Sequence, residues 1–245
     1  MIRQFLCLIL GCILLAGCGS ESMRESFKQK SADEMFTIAK AELKAGHYNQ
    51  ASLNFEDLNQ IHPFSKNSEM ARILGIYSYV MDKEYSKAIV EVEYFQKVYP
   101  RSPFSDWALY IQAYGYLNQY RNWFQRYLES DRARNDIVPL QQALYASNRL
   151  MTLYPNSRYV LPAKQITVQI ERISAKENID VATFYLERHA YLAAANRASN
   201  FLKMYSDSCF LPQAVAILEQ AYDGLGLVDW KKDVVKLKKI NQFSS

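Results

Sequence analysis

The stretch Gly46-His-Tyr-Asn-Gln-Ala-Ser-Leu-Asn-Phe-Glu-Asp-Leu-Asn-Gln-Ile-His-Pro63 decides the fold of this chain, because its side-chain pattern recurs three more times. Aligned on an alanine, the copies share large residues three positions earlier and seven, ten and eleven positions later. These offsets fall on one face of an α-helix, so each copy predicts an amphipathic helix. The aligned sets are Ala51, Ala88, Ala143 and Ala194; Tyr48, Tyr85, Leu140 and Tyr191; Leu58, Phe95, Leu150 and Phe201; Ile61, Val98, Leu153 and Met204; and His62, Tyr99, Tyr154 and Tyr205.

Each of these helices is predicted to end at the next position. Pro63, Pro100 and Pro155 occupy that position in three copies, and Ser206 occupies it in the fourth. A residue that precedes proline avoids the helical region of the backbone map, so the proline marks a helix end.

A second apolar-periodic segment precedes each copy, and the alanine allows two antiparallel helices to approach closely. The first partner begins with Ser31-Ala-Asp-Glu34, a capping-box pattern. Because one hairpin cannot bury both of its faces, we expect the hairpins to stack. Partner helices are predicted from Ser31 to Ala45, Asn67 to Lys83, Phe104 to about Asn122 and Tyr159 to Lys176, with a fifth pair from Leu211 to Asn241.

The first repeat spacing resembles that of the tetratricopeptide family. The 37 residues from Pro63 to Pro100 lie close to the ~34 of that repeat. The sequence therefore predicts an all-α fold, an α-solenoid of about five tetratricopeptide-like helical hairpins, over a bundle without repeats. The later spacings, 55 and 51, predict an extra helix through Tyr120, Trp123, Phe124 and Tyr127 and then longer helices.

The N-terminus is predicted to be a targeting signal rather than part of the fold. Residues 1–17 carry one early charge and a short apolar run, as in a secretory signal peptide. Leu15-Ala16-Gly17-Cys18 resembles the bacterial lipobox, which predicts N-acyl and S-diacylglycerol groups on Cys18; an ordinary signal with a chance cysteine is the alternative. Several acyl chains anchor a protein stably. Gly19 implies sorting to the outer membrane, periplasmic face, and residues 18–30 are predicted to be a linker, with order beginning at Ser31.

Composition excludes several other classes of protein. Eight Gly and seven Pro in 245 residues are too few for an all-β fold with frequent turns. The 29 basic and 25 acidic residues form no concentrated basic patch, so we expect no nucleic-acid partner. The three His are scattered and no catalytic or metal motif is present, so we expect no enzyme, metal or cofactor. Glu91 and Glu93 are interpreted as exposed charge, Cys209 as a buried apolar residue, and the lysines of 231–239 as the solvated face of a terminal capping helix.

A stack of such hairpins is predicted to bind peptides in a groove lined by its first helices. Tyrosines there offer rigid apolar contact with a polar tip. Half of them must serve the core, and the sequence does not distinguish which. The groove candidates in the second and third repeats are Arg72, Tyr77, Tyr79, Tyr110, Tyr114 and Tyr116.

Several motifs make the chain resemble the family of the D subunit of the barrel-assembly machine, the BamD family. The most specific is Val181-Ala-Thr-Phe-Tyr-Leu-Glu-Arg188, followed by Asn196-Arg197. The others are His62-Pro63-Phe64, where the family has Tyr-Pro-Phe, Asp131-Arg132 in the long insertion, and Tyr154-Pro-Asn-Ser-Arg-Tyr159.

The resemblance implies a scaffold that helps to insert β-barrel proteins into the outer membrane. Residues 31–116 would face unfolded barrel substrates, and residues 117–245, in one continuous solenoid, would dock the barrel-forming subunit and other assembly lipoproteins. A lipoprotein that scaffolds cell-wall enzymes is the alternative. The implied substrate-groove residues are Phe64, Arg72, Tyr77, Tyr110 and Tyr114, and the implied partner-binding residues are Arg197, Asn196, Arg188, Asp131 and Arg132.

Overall fold

The computed structural model describes residues 24–126 and 137–241, with side chains described for 24–121 and 137–241. Every regular element in these residues is a helix, and the all-α repeat fold is confirmed. None of the described helices is long and apolar enough to cross a bilayer. The helices are α1 Ala32–Lys44, α2 Tyr48–Ile61, α3 Ser68–Met81, α4 Tyr85–Val98, α5 Ser105–Arg126, α6 Val138–Leu153, α7 Val160–Glu187, α8 Tyr191–Met204, α9 Leu211–Gly224 and α10 Val228–Ile240.

The chain divides into two compact units, Met1–Ala163 and Lys164–Ser245. In the first unit, each of α1 to α5 packs on the next helix along the chain. Helix α1 also contacts α3, so the first helices of neighbouring hairpins touch. In the second unit, α9 packs between α8 and α10.

The capping box predicted at the start of α1 is confirmed. The Ser31 hydroxyl accepts a hydrogen bond from the Glu34 N–H, and the Glu34 carboxylate accepts one from the Ser31 N–H at 3.0 Å. These two bonds satisfy amides that would otherwise lack a partner at the helix end.

The predicted ends of the second helices are confirmed as well. His62, Tyr99, Tyr154 and Tyr205 leave the helical region with ψ values of 58°, 60°, 60° and 52°, and each N–H still bonds to the carbonyl four residues earlier. The fourth copy ends in the same way with serine at the proline position, so proline is not required for this geometry.

The core follows the repeat pattern, with one correction. Ala51 and the other three anchor alanines are fully buried, and so are the residues seven positions later, of which Phe201 is 2% exposed. The residues ten positions later were predicted on the same face, but this was wrong: Met204 is 68% exposed and Ile61 40%. At about 100° per residue, ten residues turn the side chain to about 80° from the anchor, at the edge of the buried stripe.

The turns within the hairpins share a left-handed residue that the sequence did not reveal. Gly46 and Gly226 have φ of 80° and 69°, and Lys83 and His189 have φ of 62° and 57° at the equivalent positions. A glycine adopts this conformation without strain, whereas lysine and histidine do so at a cost. The turn is therefore set by the packing of the two helices rather than by its own residue.

Two further predictions needed correction or extension. Helix α5 runs without a break from Ser105 to Arg126, so no separate helix begins within these residues, as had been expected near Tyr120. The lengthening expected later is confirmed, since α7 spans 28 residues. Cys209 was expected to be buried but is an exposed free thiol in the loop between α8 and α9.

Candidate functional site

A cleft of about 260 Å³ opens in the first unit between α2, α3 and α4, and we name it the Arg72 cleft. The first helix α3 lines it with Arg72, Gly75, Ile76 and Tyr79, and the second helices α2 and α4 supply the other lining residues. Arg72 lines this cleft and Tyr77 does not, and a shared substrate groove for the two residues stays a prediction. The two residues are five positions apart, which places them about 140° apart around α3.

Arg72 is held firmly in this cleft. Its Nη1 donates to the Glu91 carboxylate at 2.6 Å, and its guanidinium carbon lies 4.4 Å from the centre of the Tyr94 ring. The Arg72 Nε is buried and has no hydrogen-bond partner among the described residues. The guanidinium thus keeps one donor unsatisfied on its inner side.

Acceptors and amides line the opposite wall. The Tyr79 hydroxyl donates to Glu56 at 3.1 Å, and burial, reinforced by the charge of Glu56, raises the pKa of Tyr79. Asn59 is 8% exposed, and its Oδ1 has no partner among the described residues. An unpaired buried polar atom is costly, so this donor and this acceptor are the least satisfied polar atoms of the cleft.

The interpretation of Glu91 and Glu93 as exposed charge was wrong. Glu91 pairs with Arg72, and Glu93 accepts a hydrogen bond from the Tyr116 hydroxyl at 3.0 Å. Burial, together with this hydrogen bond, raises the pKa of Tyr116 to about 12. Each carboxylate therefore ties α4 to a first helix, on different sides as expected from their spacing.

The tyrosines predicted for the groove separate into two groups. The Tyr110 ring stacks on Tyr159 at 5.3 Å between ring centres, and Tyr114 meets Tyr85 edge to face at 6.0 Å. These rings pack against rings of neighbouring segments in the first unit, so they contribute to packing rather than to a free binding surface. Tyr77 is 40% exposed and is the predicted groove tyrosine that the structure leaves available.

The exposed side of α3 is apolar around Tyr77. Met70 and Met81 lie seven residues before and four after it, on the same side of the helix, and are 37% and 39% exposed. Methionine adapts its shape to varied partners. This stripe is a second candidate contact surface in the first unit, distinct from the Arg72 cleft.

Phe64 lies neither in the Arg72 cleft nor in the apolar stripe around Tyr77. It occupies the loop between α2 and α3 and is 98% exposed, the highest value for a large apolar side chain among the described residues. The structure therefore separates Phe64 from the other predicted groove residues.

The second unit presents three of the five predicted partner-binding residues, Asn196, Arg197 and Arg188, on its exposed surface. Asn196 and Arg197 are exposed on α8, and within residues 137–241 neither makes a hydrogen bond or ion pair. Arg188 follows the end of α7, and its guanidinium carbon lies 4.3 Å from the centre of the Phe184 ring. Leu192, one turn before Asn196, is 64% exposed. The surface offers cations and apolar groups for binding.

Three predicted sites lie outside the described residues: Cys18, Asp131 and Arg132. Among the residues that the structure describes, no three His, Cys, Asp or Glu side chains gather in a way that could hold a metal ion.

Four lysines of the last helix, Lys231, Lys232, Lys236 and Lys238, are paired with carboxylates. Lys231 bonds to Asp223 at 2.6 Å and Lys238 to Glu219 at 3.3 Å, both on α9. Only Val234 of α10 is buried. The basic face is therefore solvated at Lys232 and Lys236, whereas Lys238 is 22% exposed and lies against α9; that α10 caps the fold stays a prediction.

Sequence reasoning missed Glu56, Asn59 and Tyr94 in the Arg72 cleft. All three lie on second helices, outside the positions shared by the four copies. The sequence could have revealed them only as polar or aromatic residues on helices that were predicted to serve helix packing.

Comparison with known proteins gives a consistent result. The family described as YfiO, outer membrane lipoprotein, matches residues 28–237. The chain is 28% identical over 211 residues to the outer membrane protein assembly factor BamD of Neisseria meningitidis, covering 86% of this chain and 79% of that protein. It is 28% identical over 233 residues to the protein of the same name from Vibrio cholerae, covering 95% and 96%, and 26% identical over 237 residues to that from Haemophilus influenzae, covering 97% and 90%.

Proposed function

The chain belongs to the YfiO family of outer membrane lipoproteins, and on that premise we propose that it is an assembly factor for outer membrane proteins. The observation that supports this most strongly is the family match over residues 28–237, joined by relatives of that printed name along nearly the whole chain. Stacked helical hairpins with exposed apolar and cationic surfaces suit a scaffold, which binds partners rather than transforming them.

The same premise makes Cys18 the attachment point of the protein to the outer membrane, with the body on the periplasmic side. We assign it N-acyl and S-diacylglycerol groups, because it follows small residues at the end of the apolar run. Each buried methylene contributes about 0.8 kcal/mol, so several chains hold a body that one chain would hold only marginally.

Unfolded β-barrel segments would engage the first unit. An extended segment carries free backbone N–H and C=O groups, and these would pair with the unpaired Asn59 Oδ1 and Arg72 Nε when the side chains of the cleft move apart to expose these two buried atoms. The stripe around Tyr77 would take apolar side chains of the same segment. Recognition of this kind depends on the backbone and on alternating apolar residues, so many different barrels can share one site.

The second unit would dock the barrel-forming subunit, and other assembly lipoproteins would bind within the same complex. Arg197 carries a planar fork that holds a carboxylate at two points, and its lack of a partner within residues 137–241 leaves all its donors available. Asn196 and Arg188 would add hydrogen bonds and charge nearby, and Asp131 and Arg132 are proposed contacts outside the described residues.

We expect Arg197→Glu to weaken capture of the barrel-forming subunit by about 10-fold or more, because a carboxylate would then face a carboxylate. Pull-down of the detergent-solubilised subunit by the mature chain measures this. Lys203→Glu is the matched control: it makes the same charge change on α8, six residues away and about 120° around the helix. Equal capture by both variants and the unsubstituted chain would show that Arg197 does not contribute to the interface.

A further inference from the structure

The segment just before α1 is bound to the first hairpin by a half-buried ion pair. Arg24 donates from Nε and Nη2 to the two carboxylate oxygens of Asp57 on α2, each at 2.9 Å, and the Asp57 side chain is 2% exposed. Phe27 is 7% exposed within the core cluster of the first hairpin. We name residues 24–30 the strap. Half of the predicted linker is therefore part of the fold.

The strap shortens the connection between the fold and the membrane. Cys18 and Arg24 are six residues apart, and six residues span at most about 20 Å even when fully extended. If Cys18 carries the acyl chains, as the proposed function holds, the docked end of the strap cannot move farther than that from the bilayer surface.

The strap ends beside the loop between α2 and α3. The carbonyl of Lys30 lies 3.2 Å from Nε2 of His62, and Asp33, just inside α1, pairs with Lys66 at 3.0 Å. We name residues 61–66 the tip. The strap and the tip thus lie side by side on the first hairpin.

The tip has the composition of a membrane-contacting loop. Phe64 is 98% exposed, Ile61 is 40% exposed, and the Lys66 side chain is 76% exposed. A fully exposed phenylalanine with lysine nearby suits the boundary between headgroups and acyl chains. Because Asp33 offsets part of the basic charge, apolar insertion of Phe64 contributes more than attraction to anionic lipid.

We propose that the tip rests on the phospholipid surface of the outer membrane, with Phe64 inserted among the headgroups and the strap holding it there. This rests on the proposed acylation of Cys18, and it assigns Phe64 to lipid rather than to the substrate groove. The lipid anchor then fixes the orientation of the first unit as well as its distance from the membrane.

The test places a fluorescent reporter at the tip. The mature acylated chain carrying Phe64→Trp is reconstituted into vesicles of phosphatidylethanolamine and phosphatidylglycerol, and the emission of the unsubstituted chain is subtracted. We expect the added emission to be blue-shifted and to lose most of its intensity when the lipids are brominated. Val90→Trp, at a 63% exposed position on α4, is the matched control and is expected to keep its intensity.

Each other outcome overturns the proposal. If Phe64→Trp keeps its intensity as Val90→Trp does while the chain floats with the vesicles, the tip does not contact lipid; strong quenching of both variants would show that the contact is not specific to the tip. A Phe64→Trp signal that responds to an added C-terminal barrel peptide but not to brominated lipid would assign the tip to substrate. A chain that does not float would remove the anchor on which the proposal depends, whereas assembly activity is measured separately by the level of outer membrane barrels in cells.

Discussion

Replacing Phe201 with alanine is expected to lower the free energy of unfolding of the mature chain by about 3–5 kcal/mol. Phe201 is 2% exposed in the core of the second unit, and its ring centre lies 5.0 Å from that of Tyr205. Neighbouring helices cannot collapse fully into the space that the ring leaves, so the cavity adds to the lost burial. Urea unfolding followed by circular dichroism measures the change.

Met204→Ala is the matched control, three residues along the same helix. Met204 is 68% exposed, so we expect a change within about 0.5 kcal/mol. Similar losses for the two variants would contradict the buried stripe described above, in which the position seven residues after the anchor alanine carries the core and the position ten residues after it does not.

Removing Arg24 is expected to have the next largest effect. Arg24→Ala leaves the Asp57 carboxylate buried without its cation, and losing one partner of a fully buried pair costs about 3–5 kcal/mol. We expect about 2–3 kcal/mol here, because the Arg24 side chain is 45% exposed and water reaches the site once it is gone. The same unfolding measurement reports it.

Asp57→Asn shows how much of the Arg24→Ala loss in unfolding free energy comes from leaving a buried charge unpaired. The amide is neutral and can still accept a hydrogen bond from Arg24, so we expect a loss of about 1 kcal/mol. The double variant is expected to lose less than the sum of the two single losses, because it leaves no buried charge behind. Strict additivity would show that the strap is not held by this pair.

The repeat pattern was visible in the sequence because it depends on local periodicity. Ala51 and its three equivalents had to be small for close helix packing, and all are buried. Met204 and its equivalents were misplaced because apolar character alone does not distinguish the centre of a helix face from its edge. Lys83 and His189 gave no turn signal, because their positive φ is imposed by the packing of two helices.

The candidate site was less predictable because its contacts join distant parts of the sequence. Arg72 meets Glu91 across 19 residues, and Arg24 meets Asp57 across 33. No helical spacing links such pairs, so the cleft and the strap could not be found from periodicity. Arg197 was predicted only through resemblance to a family, since an exposed arginine on a helix is otherwise common.

The most direct measurement of the central claim is the level of folded outer membrane barrels after this protein is depleted from cells. If stacked hairpins on a lipid anchor assist barrel assembly, folded barrels fall together across many barrel proteins and return when the unsubstituted chain is supplied. Normal barrel levels with misshapen cells would contradict this account and favour a scaffold for cell-wall enzymes.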